Sequence, residues 1–114
     1  MEITLQVKGK EHTFAFLEEM YRNKSLAIRV FHKTKEEDYW SPWCNLTVCI
    51  PDIAISGYKA FLDTNNCSRE IIDWILENDY ANVLGEVRSG YCRYPLVEFS
   101  EAFIKDYLVD KYFI

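Results

Sequence analysis

The chain opens with apolar residues at every second position. Ile3, Leu5 and Val7 alternate with Thr4, Gln6 and Lys8, and after Lys8-Gly9-Lys10 the rings of Phe14 and Phe16 resume the same spacing. A period of two places alternate side chains on opposite faces of an extended backbone, which excludes an amphipathic helix here. The first sixteen residues therefore read as a hairpin, with Gly9 supplying a positive φ at the turn.

The same logic continues along the chain. Residues 17–24 (LEEMYRNK) read as a short helical turn. Leu26, Ile28 and Val30 alternate again, the polar run 32–38 interrupts, and 39–50 resumes an extended pattern, giving a second, longer hairpin. Pro42 belongs at an edge or a bulge, because it cannot donate to a strand ladder. Pro51 ends that strand, and 51–66 read as a loop with a short extended piece over 60–62. Ser68 is a helix N-cap with Glu70 in the first turn, and the helix runs to near Asp79. Its wheel puts Ile71, Ile72, Ile75 and Leu76 on one side and Glu70, Asp73 and Glu77 opposite, with Trp74 flanking the acidic side. Residues 83–87 and 91–99 read as a third hairpin across Arg88-Ser89-Gly90, with Pro95 again asking for an edge or irregular position. Ser100 caps a last helix that carries Phe103, Ile104, Tyr107 and Leu108 and closes the core. Hairpins followed by separate helices, without βαβ alternation, predict an α+β fold: an antiparallel β-sheet built from hairpins with two α-helices packed against it. At 114 residues one domain spanning 1–114 is expected.

Charge narrows the partners. The chain carries −5 at a pI near 5.0, whereas proteins that bind duplex nucleic acid without regard to sequence do so by neutralising phosphates with Lys and Arg. Direct duplex binding is not expected. The charge is uneven, +3 over residues 1–35 and −8 over 36–114, so the acidic part would steer the protein toward a basic surface. Aromatic residues reach 16%, with 7 Phe, 8 Tyr and 3 Trp. That is more ring surface than a small core hides, and some rings are expected to face a partner. No apolar run reaches the length of a membrane span, and the N-terminus lacks the basic-then-apolar order of a signal peptide. A cytoplasmic protein is expected, with no membrane partner, and Cys44, Cys49, Cys67 and Cys92 are then thiols or metal ligands.

Little in the residues supports catalysis. His12 and His32 are the only imidazoles, and neither lies in a cysteine-protease context. Four scattered glycines make no phosphate loop. Five residues apart on a regular strand, Cys44 and Cys49 point to opposite faces and cannot share an ion without a bulge. Cys67, just before a helix, and Cys92, in a strand, could approach each other, but small buried thiols are the stronger reading. No cofactor is expected, with a structural zinc as the alternative. No catalytic residue is assigned. Acid beside rings is the more informative pattern: Glu36, Glu37 and Asp38 precede Tyr39, Trp40 and Trp43, and Glu70, Asp73 and Glu77 flank Trp74. Rings supply anchor area and carboxylates supply steering toward an Arg/Lys-rich partner. The expected partner-binding residues are Glu36, Glu37, Asp38, Trp40, Trp43, Glu70, Asp73, Trp74 and Glu77. The competing reading puts the rings in the core and the carboxylates on a solvated face.

Four segments, in order and spacing, carry a family resemblance: Leu26-Ala27-Ile28; Pro42-Trp43-Cys44-Asn45-Leu46-Thr47-Val48-Cys49-Ile50-Pro51; Phe61-Leu62-Asp63-Thr64-Asn65-Asn66-Cys67; and Ser89-Gly90-Tyr91-Cys92-Arg93-Tyr94-Pro95-Leu96-Val97-Glu98-Phe99. Over roughly residues 24–100 the chain resembles family 4313 of the domains of unknown function, small proteins of Firmicute conjugative elements and phage-derived regions. The resemblance brings no catalytic residues. What it implies is a setting, a bacterial host cell in which small acidic mobile-element proteins disarm defences. The expectation is a non-enzymatic anti-CRISPR inhibitor that binds a type II RNA-guided nuclease and blocks guide or target DNA in its basic channel. The alternatives are an accessory interaction module of a conjugative element, homodimeric through an exposed sheet edge, and a small metal-stabilised protein.

Overall fold

The computed structural model describes residues 1–110, and its first hairpin forms where the alternation places it. Strand β1 (Ile3–Val7) pairs antiparallel with β2 (Lys10–Met20), joining Ile3 to Phe14 and Val7 to Lys10. Lys8 and Gly9 both take positive φ, 53° and 79°, the left-handed pair that a two-residue hairpin turn with native strand twist requires. The expected helical turn over 17–24 is absent. Leu17 is buried within β2, and the strand pairs through Met20 with β3 (Leu26–Lys33). Tyr21 and Ser25 close the turn, where Asn23 Oδ1 accepts the Ser25 N–H. The helix preference of Leu-Glu-Glu-Met is small per residue and yields to eight paired positions on β3.

The chain then makes two sheets instead of the single one expected. β4 (Ser41–Asn45) completes the first, in the order β1-β2-β3-β4. At Leu46 the backbone changes partner: its N–H bonds the carbonyl of Ile28 in the first sheet, while its own carbonyl accepts the N–H of Asp63 beside the second. β5 (Thr47–Val48) thus continues β4 into a second sheet with β6 (Lys59–Leu62), β8 (Cys92–Phe99) and β7 (Ala81–Ser89), in the order β5-β6-β8-β7. Alternation reports which face a residue occupies, not which sheet receives its strand, so this hand-over has no signature in periodicity. Pro42 sits in the edge strand β4 beside a register shift, as expected. Pro95 instead keeps regular register with Glu86 of β7 and is tolerated because it lies beyond the last β6 pairing, its other side unpaired.

Helix α1 (Arg69–Glu77) follows Ser68 and buries Ile71, Ile72 and Ile75. Helix α2 (Glu101–Asp106) is capped by Ser100, whose Oγ accepts the Phe103 N–H at 3.1 Å. It buries Phe103 but stops before Leu108, because Leu108 and Val109 form β9 (Leu108–Val109), parallel to β2 at Phe16 and Leu17. The helices are short, and the fold is mostly antiparallel sheet with minor helical packing. One buried cluster joins both sheets and both helices through Phe14, Phe16, Ile28, Leu46, Leu62, Ile71, Val97 and Phe103.

Candidate functional site

Both expected acidic patches are on the surface, in different chemical company. Glu36 and Asp38 are exposed in the β3–β4 loop, next to Tyr39 at 67% exposure. Glu37 turns back, its Oε1 accepting the Thr34 N–H and hydroxyl, both at 2.9 Å. Those two donors hold its carboxyl below the usual carboxylate range. Basic groups share the loop: Lys33 Nζ lies 4.6 Å from the Trp40 ring centroid, Lys35 reaches Glu11 at 3.6 Å, and Lys10 acts on Glu36 and Glu37. The tip is of mixed charge. α1 differs, since Arg69 is the only basic residue among 69–79, against Glu70, Asp73, Glu77 and Asp79. Arg69 approaches Asp73 at 3.7 Å with both side chains largely in solvent, a pair that contributes little.

The tryptophans divide. Trp74 is half-buried, stacked on Phe16 with its plane 7° from parallel and edge-on to Tyr107 at 5.0 Å. It joins the aromatic core of α2 and lies inward of the acidic stripe. Trp43 is also turned in, 4.5 Å from the His32 ring, 5.0 Å from His12 and 5.5 Å from Phe14. Trp40 stays in the hairpin loop beneath Lys33. Exposed acid and an exposed ring therefore share the β3–β4 loop at Glu36, Asp38 and Tyr39, with Trp40 half-buried against Lys33, while the stronger acidic face, on α1, has its indole packed behind it.

Trp43 anchors a second constellation that single-strand reading does not reveal. His12 lies diagonally from His32 across β2 and β3, since His32 opposes Phe14, and the Nδ1 atoms approach to 3.1 Å. Desolvation and the neighbouring His12 charge lower the His32 pKa. Val30 opposes Cys44 while Phe31 opposes Pro42, so Trp43 is the extra residue of a bulge. Both Trp43 and Cys44 thereby pack on the core. The indole N–H donates to Ser68 Oγ at 2.7 Å, and Cys44 Sγ lies 3.2 Å from Cys67 Sγ. Two consecutive residues of β4 thus clasp two consecutive residues before α1. Cys67 meets Cys44, not Cys92 as the sequence suggested, because the bulge turns Cys44 inward. Cys92 lies in β8 beside Tyr94. Among the described residues no group of three or more His, Cys, Asp or Glu side chains could hold a metal ion. The signal that could have found the clasp was Pro42, which marks the irregularity in β4.

Asp63 is buried and accepts from the Asn66 backbone and side-chain amides, shaping the loop that delivers Cys67. Thr47, also buried, accepts the Ile28 N–H at 3.1 Å and contacts the Tyr21 hydroxyl at 2.9 Å. Two of the sequence runs that carry the resemblance are therefore structural fasteners. The fold is a two-sheet α+β arrangement whose sheets part at Leu46 and Thr47, both bonded to Ile28, and whose α1 carries a carboxylate face. Residues 15–112 match the family model described as Domain of unknown function (DUF4313), and the chain belongs to that family. The match extends on both sides of the 24–100 region read from the sequence. No curated protein and no solved structure matches the chain.

Proposed function

We propose that this protein is a non-enzymatic inhibitor encoded on a mobile genetic element, an anti-CRISPR protein that places the outward face of α1 on the basic channel of a type II RNA-guided nuclease. The observation that carries the reading is the acidic face of Glu70, Asp73 and Glu77 on α1, where Arg69 is the one basic residue of the helix. Between Glu70 and Glu77 the helix rises about 10 Å and bears three carboxylates. A DNA duplex carries about six charges in that distance. The protein accordingly docks locally and excludes guide or target DNA by occupancy, without imitating a whole duplex. Tyr39 and Trp40 supply additional contact from the β3–β4 loop.

Pre-incubating the protein with guide-loaded nuclease before adding target DNA is expected to abolish cleavage near molar equivalence. Undiminished cleavage at several-fold excess across Firmicute nucleases removes the reading. A second reading, an accessory module of a conjugative element that self-associates, is favoured by β7. This strand ends the second sheet and exposes Val83 at 53% and Leu84 at 47%. A dimer in light scattering that Leu84→Lys disrupts supports it, and a monomer at every concentration excludes it.

A further inference from the structure

We propose that Cys44 and Cys67 form a peroxide-oxidisable dithiol, with Cys44 the attacking thiolate and Cys67 the resolving thiol. The geometry carries the assignment: the sulfurs are already 3.2 Å apart, and the adjacent Trp43–Ser68 side-chain hydrogen bond of 2.7 Å ties the same two segments together. Closing to a disulfide requires the sulfurs to approach by roughly 1.1 Å, to a bond length of about 2.05 Å. Accessibility sets the order of events. Cys44 is half-buried and keeps some exposure to solvent, whereas Cys67 is only 7% exposed. The environment agrees, because the Cys67 S–H, followed by the Ser68 backbone N–H, stabilises the Cys44 thiolate and lowers its pKa against the opposing effect of burial. The Cys67 thiol is pushed the other way by its hydrogen bond to Cys44, by burial and by the Cys44 charge.

Hydrogen peroxide is the oxidant. The Cys44 thiolate attacks one peroxide oxygen, the O–O bond breaks, and hydroxide leaves to become water, giving a sulfenic acid on Cys44. The Cys67 sulfur then attacks the Cys44 sulfur, the S–O bond breaks, and the departing hydroxide takes the Cys67 proton as a second water. Two thiols are oxidised by two electrons and one peroxide is reduced. The product bond joins the edge strand of the first sheet to the entry of α1.

The test is peptide mapping of the full chain after peroxide treatment and alkylation. The expected result is a Cys44–Cys67 cross-link, a mass lower by two hydrogens, and a Tm raised by roughly 10 °C through restriction of the unfolded chain. In Cys67→Ser, dimedone should trap the sulfenic acid at Cys44, and in Cys44→Ser, Cys67 should stay reduced under the same exposure. Circular dichroism verifies that both variants fold. The wild-type map stands alone if either does not. Oxidation appearing first at Cys49 or Cys92, with Cys44 and Cys67 both alkylated, overturns the assignment, as does cross-linking of Cys67 to Cys92.

Discussion

At the scale of single residues, the molecule is held by a few polar side chains placed inside an apolar core. Thr47 is 1% exposed and satisfies the buried N–H of Ile28 where the two sheets part. Thr47→Val keeps the shape but leaves that donor unsatisfied, and urea unfolding is expected to show a loss of about 2 kcal/mol. The His12–His32 pair makes stability depend on pH. A second proton would put two imidazolium charges on nitrogens 3.1 Å apart, under the indole of Trp43 and against the opposing influences of Glu37, which favours the charge, and Lys10, which does not. The depressed His32 pKa means that below about 6.5 the unfolded chain takes up a proton more readily than the folded one. Tm should be level above about pH 7 and fall as pH drops below about 6.5, and His32→Gln should flatten the fall. Little of this was legible beforehand. Two isolated histidines twenty positions apart carry no message until strand register sets them diagonally and a bulge brings Trp43 over them.

At the scale of elements, two serines before helices do different work, although the sequence presents them alike. Ser100 caps α2 with its hydroxyl, whereas Ser68 stands at the α1 N-cap without a side-chain cap bond and accepts from Trp43 instead. Ser100→Ala is expected to cost about 1 kcal/mol through fraying of α2. Ser68→Ala should cost a similar amount and Trp43→Phe more, since the indole also packs on His12, His32 and Phe14. The double variant should lose about 1 kcal/mol less than the sum of the two, because both changes delete the same hydrogen bond. A double-mutant cycle by chemical denaturation measures the coupling. The hairpins, the Ser68 and Ser100 boundaries and the apolar face of α1 were readable, since each follows from local spacing or local caps. The ends of β2 and α2 were not, because Leu17 and Leu108 are claimed by partners far away in the chain, through β3 and β9.

At the scale of the whole molecule, the α+β class was legible and the division into two sheets was not, for the change of partner at Leu46 is a single pair of backbone bonds. The acidic face of α1 was also legible, because Glu70, Asp73 and Glu77 need only helical periodicity to converge. Its indole neighbour was misleading: Trp74 reads as flanking the stripe, and its ring completes the core against Phe16 and Tyr107. The functional account therefore rests on charge more than on ring burial. The most direct measurement is the affinity of the protein for immobilised guide-loaded nuclease, compared with the Glu70→Lys, Asp73→Lys and Glu77→Lys triple variant at equal ionic strength. The account predicts tight stoichiometric binding by the parent and a loss of roughly 30-fold or more in the folded variant, about 2 kcal/mol from three reversed charges. Equal affinity of the two proteins, with circular dichroism showing the variant folded, would contradict it.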